Sequence, residues 1–127
     1  MTSGLVAIVL DCRHAASLAR FWATALGWSV RPYDDAEVVR LAGLGLTPET
    51  DPQVAVDAPD GSLTLWLVEL AEHRSGKDRM HLDIAVRDGA HLDELLSLGA
   101  RVLRRHSDWW TLADPEGNEF DVMNPEY

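Results

Sequence analysis

Ala113-Asp114-Pro115-Glu116-Gly117-Asn118-Glu119-Phe120-Asp121-Val122 is the stretch that decides how this chain folds. Asp-Pro opens a tight turn because proline presets φ, and Gly117 supplies the freedom to close it. Glu119, Phe120, Asp121 and Val122 then alternate polar and apolar, which predicts a strand with Glu119 and Asp121 on one face. A carboxylate at Asp121 on such a strand either lines a pocket or meets water.

Reading outward from that turn, Trp109 to Ala113 and Arg101 to Arg105 form two further strands. Gly99 ends a helix over 90–98, where Leu92, Leu95 and Leu96 share a face and Asp88 stands as N-cap. Met80 to Val86 is a strand, and 71–79 is a polar, charged linker. The first half repeats the order. Leu5 to Leu10 is a continuous apolar run read as a buried strand. Ala15 to Leu26 carries Leu18, Phe21, Trp22, Ala25 and Leu26 at helical spacing, and Gly27 stops it. Trp28 to Arg31 is a strand, residues 36–42 and 53–57 are predicted as short strands around the turn-rich segment 43–52, and Leu63 to Leu70 closes the half.

Two short echoes support a duplication. Leu26-Gly27-Trp28-Ser29-Val30 parallels Leu98-Gly99-Ala100-Arg101-Val102, and Pro59-Asp60-Gly61 parallels Pro115-Glu116-Gly117. The fold class predicted is α+β: two βαβββ modules, about 1–70 and 79–127 of a single domain. They are expected to form a cupped mixed sheet with helices outside and a concave ligand site.

Composition narrows the function. The 127 residues carry a net charge of −10, with a single lysine, Lys77, and a single cysteine, Cys12. That charge repels phosphate backbones and anionic lipid, so neither nucleic acid nor a membrane is expected as a partner. No run approaches the ~18 apolar residues of a membrane span. No basic start marks a signal peptide. One cysteine makes neither an internal disulfide nor a cysteine-based zinc site. A cytoplasmic protein is expected, and an exposed sheet edge in so short a chain favours a homodimer. Cys12 reads as a small buried apolar residue. His14, His73, His91 and His106 lie among polar residues and read as solvated. Phosphate-loop, nucleophile-elbow and dinucleotide fingerprints are absent.

His14-Ala15-Ala16-Ser17-Leu18-Ala19-Arg20-Phe21-Trp22 followed by Leu26-Gly27-Trp28 resembles the first helix of the vicinal oxygen chelate superfamily. Arg79-Met80-His81-Leu82-Asp83 and Asp114-Pro115-Glu116-Gly117-Asn118-Glu119-Phe120 resemble its second half. The pattern is similar to the small glyoxalase-like members and covers nearly the whole chain, least well over 33–56. The resemblance implies a sheet-lined cup, often completed by a homodimer. Its members include glyoxalase I, extradiol dioxygenases, epimerases, fosfomycin-modifying enzymes and metal-free antibiotic-binding proteins. The fold therefore leaves the function to the site.

Enzymatic members, by the same resemblance, hold a divalent metal (Ni, Co, Fe, Mn or Zn) through four strand positions, two per module. The third matches His81 and the fourth Asp121, where many members have Glu. The first falls near Ala7, and Leu5 to Leu10 offers no ligand. The second falls within Leu63 to Val68, which offers only Thr64. Asp11, His14 and Asp83 are the candidates to rebuild such a site, and Asp83 shares a strand face with His81. Two matched ligands of four do not make a tight site, so no cofactor is expected.

Five tryptophans in 127 residues offer another chemistry. Trp22 and Trp28 read as core or pocket floor. Trp66 stands mid-strand where a ligand donor is expected, and of the neighbours Trp109 and Trp110 one must face the cup. Aromatic walls hold flat or cationic molecules by stacking and cation–π attraction. The expectation is a metal-independent binder of a small aromatic or amine-bearing molecule. Its ligand residues are Trp66, Trp109, Trp110, Asp83 and Trp28, with His81 and Asp121 as the polar pair. Sequestration of a toxic compound or antibiotic is one use of such a site. Two alternatives stay open. One is an enzyme of lyase, isomerase or dioxygenase type working through a rebuilt metal site or through acid–base chemistry at His81 and Asp121. The other is a protein-interaction module whose cup is filled by its own tryptophans.

Overall fold

The computed structural model describes residues 5–71, 80–123 and 125. The chain divides into two compact units, Met1–Glu72 and His73–Tyr127. That division falls inside the linker predicted at 71–79, of which 72–79 lie outside the described residues.

The first unit runs β1 (Ala7–Cys12), α1 (Ala15–Leu26), β2 (Ser29–Val30), α2 (Asp35–Gly43), β3 (Gln53–Asp57) and β4 (Thr64–Glu69). Its sheet has the order β1-β4-β3-β2, with β1 parallel to β4 and the other neighbours antiparallel. Helix α1 packs on β3 and β4. Its apolar stripe of Leu18, Phe21, Trp22 and Ala25 is buried, as are Val54, Val56, Leu65 and Leu67 of the sheet. Each large side chain among them contributes about 1.5–3 kcal/mol by leaving water. Phe21 and Trp22 meet edge to face at 5.4 Å, a favoured aromatic geometry. Glu69 accepts the Ala15 N–H at 3.0 Å, so the end of β4 satisfies an otherwise orphan donor in the first turn of α1.

The second unit runs β5 (Leu82–Ala85), α3 (Gly89–Ser97), β6 (Arg101–Arg105), β7 (Trp109–Ala113) and β8 (Glu119–Met123). Its order β5-β8-β7-β6 repeats the first, again with one parallel pair, β5 and β8. The matching topology agrees with the duplication read from the sequence. Asp88 caps α3 by accepting the His91 N–H at 2.8 Å.

Two readings are corrected. The run 5–10, read as a buried strand, leads into β1 with Leu5, Val6 and Val9 exposed, since β1 lies at the end of its sheet. Residues 36–42, predicted as a strand, form most of helix α2. Val38 and Val39 favour a strand locally, but the ends decide otherwise. Asp34 accepts the Glu37 N–H at 2.8 Å as N-cap, and Glu37 pairs with Arg40 one turn on. The second unit has no counterpart of α2 among the described residues.

The turn between β7 and β8 is organised by Asp114, whose side chain is fully buried. It accepts the Glu116 and Asn118 N–H groups and the Asn118 side-chain amide, all within 2.9 Å. Gly117, at φ +88°, donates to the Asp114 carbonyl. Ala58 to Gly61 copies that i to i+3 bond between β3 and β4. Gly99, at φ +110°, backs onto the same turn: a Cβ there would lie 3.2 Å from Pro115 Cγ.

Candidate functional site

The second sheet gathers the polar site residues on one face. Asp83 of β5 pairs with Asp121 of β8, which pairs with Thr111 of β7. His81, two residues before Asp83, points to the same side. Its Nδ1 lies 2.9 Å from Asp83 Oδ1 and 3.8 Å from Asp121 Oδ2. With Asp83 ionised, that nitrogen carries the proton. Thr111 donates its hydroxyl to Asp121 Oδ1 at 2.7 Å and therefore accepts from His106 Nε2 at 3.3 Å. His106 stacks on Trp109, ring centroids 4.4 Å apart. The result is a continuous polar chain from His106 to Asp83. It is open to water at one end: side-chain exposure is 51% at His81 and 52% at Asp83, against 18% at Asp121.

The common topology gives His81, Asp83, Thr111 and Asp121 counterparts in the first unit. Trp66 pairs with Val9 and Ala55, as Asp121 pairs with Asp83 and Thr111. Ala7 then stands where His81 stands. The polar set His81, Asp83, Thr111 and Asp121 is thus replaced in the first sheet by Ala7, Val9, Ala55 and Trp66. Thr64 pairs with Asp57 at the far end and gives it a 2.7 Å hydrogen bond.

In the first unit, Trp66 and Ala55 face an open cavity of about 530 Å³. Tyr33 in the loop after β2, Leu41 of helix α2 and Asp51 before β3 close its other sides. Arg31 lies over the Trp66 ring at 5.2 Å and forks onto Asp57 through two 2.8 Å bonds. The Arg31 guanidinium holds the Asp57 carboxyl below its usual range, helped by Thr64. Asp51 is 6% exposed and accepts from the Tyr33 hydroxyl at 2.7 Å and from the Gln53 N–H at 3.0 Å. Burial, reinforced by the Asp51 hydrogen bond, raises the Tyr33 phenol well above its ordinary value. Tyr33 and Asp51 carry no motif, and only the folded-back loop brings them together.

The remaining expected residues fall as follows. Trp109 shares the Asp121 face, whereas Trp110 lies on the other, with the Arg105 guanidinium 4.5 Å above its ring. Trp28 is half-buried just before β2 and does not line the cavity beside Trp66. Asp11 and His14 belong to no three-donor group among the described residues. Trp22 and Cys12 are buried, as expected. His91, read as solvated, is instead buried, because its Nδ1 accepts the Arg87 N–H at 3.1 Å in the first turn of α3. His106 is half-buried against Trp109 rather than free in water. His14 is exposed, and His73 lies outside the described residues.

His81, Asp83 and Asp121 fit a divalent cation as a donor set. One ligand atom from each lies within 4.8 Å of the other two. One imidazole and two carboxylates suit Mn, Fe, Co, Ni or Zn. A cation held by His81 Nδ1 would replace its 2.9 Å hydrogen bond to Asp83. The same residues satisfy one another without an ion, through the 2.9 Å bond and the Thr111 hydroxyl.

Comparison with known proteins follows the same lines. The model of a family described as the glyoxalase-like domain matches residues 7–123. No curated protein matches the sequence. Among solved structures, the chain is similar to a possible glyoxalase from Bacillus cereus, with 15% identity and TM-score 0.61 over 96% of this chain and 99% of that one. It is similar to a glyoxalase/bleomycin resistance protein/dioxygenase family enzyme from Burkholderia phytofirmans PsJN, with 16% identity and TM-score 0.63 over 94% and 97%. A third is the fosfomycin resistance protein FosX from Mesorhizobium loti, with 14% identity and TM-score 0.60 over 98% and 93%. At these identities the likeness carries the fold and nothing more. Among the described residues, no helix is long and apolar enough to cross a membrane.

Proposed function

Since the chain belongs to the glyoxalase-like domain family, we propose that it binds a small aromatic or amine-bearing molecule against Trp66 without needing a metal. The observation that carries this reading is the place of Trp66. It holds the register position that Asp121 holds in the second sheet, and it faces the 530 Å³ cavity. A large ring there removes an oxygen donor and supplies a stacking wall. Ala7, at the position matching His81, removes another. A cavity of this size suits a molecule of a few rings. Sequestration of a toxic compound is the use we assign to it. A homodimer is part of the proposal: among the described residues β2 and β6 stand at the ends of their sheets.

The test is a tryptophan-fluorescence titration with planar aromatic compounds, run on chelator-treated protein and again after loading with Ni, Co, Fe, Mn or Zn. Saturable quenching of equal affinity in both supports the reading. Binding that appears only with metal removes it.

One observation favours a second reading. His81, Asp83 and Asp121 offer three donors within 4.8 Å. Held there, a divalent ion would supply Lewis-acid polarisation of substrate oxygens. The chain's own part would be the binding of that ion and the orientation of Asp121 by Thr111. Metal content after loading, in wild type and in His81→Ala, separates the two: about one tightly held ion per chain, lost in the variant, favours the enzyme.

A further inference from the structure

The cavity beside Trp66 carries a charge that no ion pair neutralises among the described residues. Two of its cationic residues are already committed. Arg31 forks onto Asp57. Arg40 gives both its Nε and Nη2 hydrogen bonds to Glu37. Asp34 is tied to the start of α2 as its N-cap. Asp51 remains. It is nine-tenths buried in the cavity wall. Its two hydrogen bonds come from neutral donors, the Tyr33 hydroxyl and the Gln53 N–H. Among the described residues no arginine, lysine or histidine stands within ion-pair distance of it; Arg40 is raised in pKa partly by its charge, but bonds to Glu37.

A carboxylate offers about four acceptor positions, and two are used here. Burying it without a cation is costly unless something cationic completes the site. The Tyr33 hydroxyl, whose pKa burial and Asp51 both raise, is a neutral donor and brings no positive charge. The surroundings match an organic cation rather than a bare ion. Trp66 and Tyr33 supply aromatic surface, and Leu41, Leu44, Leu46 and Pro52 supply apolar surface. The Trp66 face already accommodates one cation, Arg31, at 5.2 Å.

We infer that Asp51 is the amine-recognising residue of this cavity, and that the ligand class is a primary or secondary ammonium carried on an apolar or aromatic body. This rests on the Trp66 cavity being the binding site. It assigns the ligand's polar anchor to the first unit, on a residue with no sequence motif, rather than to Asp121 or Asp83. The ammonium hydrogen-bonds the two free acceptor positions of Asp51, and the body packs on Trp66, on Leu41 of α2 and on the Leu44 and Leu46 that follow it. Specificity then follows from charge: a neutral analogue of the same shape leaves the carboxylate buried and unpaired.

The experiment compares 2-phenylethylamine with 2-phenylethanol, probes of like size that differ in charge, by calorimetric titration of the full chain in chelator. The amine is expected to bind at least tenfold tighter than the alcohol. Asp51→Asn should abolish that preference and leave the alcohol unchanged, while Trp66→Ala should weaken both probes. Equal affinities in the wild type, no binding of either probe, or an Asp51→Asn variant that still prefers the amine overturns the assignment. If Trp66→Ala weakens both probes and Asp51→Asn changes neither, the amine assignment fails and the cavity reading stands. If Trp66→Ala changes neither, the cavity reading itself fails. Should Asp51→Asn not fold, Tyr33→Phe decides. It keeps the carboxylate and must retain the amine preference; a variant that loses the preference assigns recognition to the phenol instead.

Discussion

Trp66 and Asp121 occupy the same register position in two sheets of identical strand order. One unit therefore presents a carboxylate where the other presents an indole. The difference separates two chemistries within one duplicated fold. The second sheet keeps a polar chain from His106 through Thr111 and Asp121 to His81 and Asp83. The first has Ala7, Val9, Ala55 and Trp66 in place of His81, Asp83, Thr111 and Asp121, and it presents an open cavity.

The turn that identifies the fold should also be among its most sensitive points. Asp114 is buried and accepts three hydrogen bonds from residues 116 and 118. Asp114→Ala leaves those donors unsatisfied and should cost about 3 kcal/mol. Urea unfolding measures it; a loss under about 1 kcal/mol would show that the turn forms without its carboxylate.

Tyr33 ties the loop after β2 to Asp51. Tyr33→Phe should lose about 1–2 kcal/mol at neutral pH, the worth of one buried bond to a charged acceptor. The folded phenol titrates above its unfolded value. Its contribution is thus complete below the unfolded value near pH 10 and is lost as pH rises through the folded one. Wild-type stability should fall above about pH 10, and the variant should fall less steeply there. Identical alkaline slopes would disconnect Tyr33 from that loss.

Stability should not depend on a metal. Dialysis against chelator is expected to leave the thermal midpoint within about 1 °C, because an ion that is not tightly bound adds nothing to the native state. A drop of several degrees, restored by one added divalent ion and absent in Asp121→Asn, would favour the metal reading of His81, Asp83 and Asp121.

Much of this architecture is written locally. The strand alternation around Asp121, the glycine stops at Gly27 and Gly99, and the Asp88 cap all act over a few residues, so the sequence displays them. Residues 36–42 misled because Val38 and Val39 favour a strand, while the helix is set by Asp34, Glu37 and Arg40 around them. His91 misled because its polar neighbours say nothing of the Arg87 N–H that its ring accepts. The cavity was the least legible part. Its carboxylate, Asp51, sits in a turn-rich segment, and its phenol, Tyr33, stands 18 residues away. Only the insertion of α2 between β2 and β3 brings them beside Trp66. Strand alternation alone left the position matching Asp121 open within Leu63 to Val68; the pairing of β4 with β1 and β3 places Trp66 there.

The most direct measurement is calorimetric titration of chelator-treated wild type and Trp66→Ala with the aromatic compound that quenches fluorescence most strongly. The account predicts saturable binding of about one molecule per chain in the wild type, weakened at least tenfold, about 1.4 kcal/mol, when the ring is removed. Binding that requires an added divalent ion, or that Trp66→Ala leaves unchanged, would contradict it.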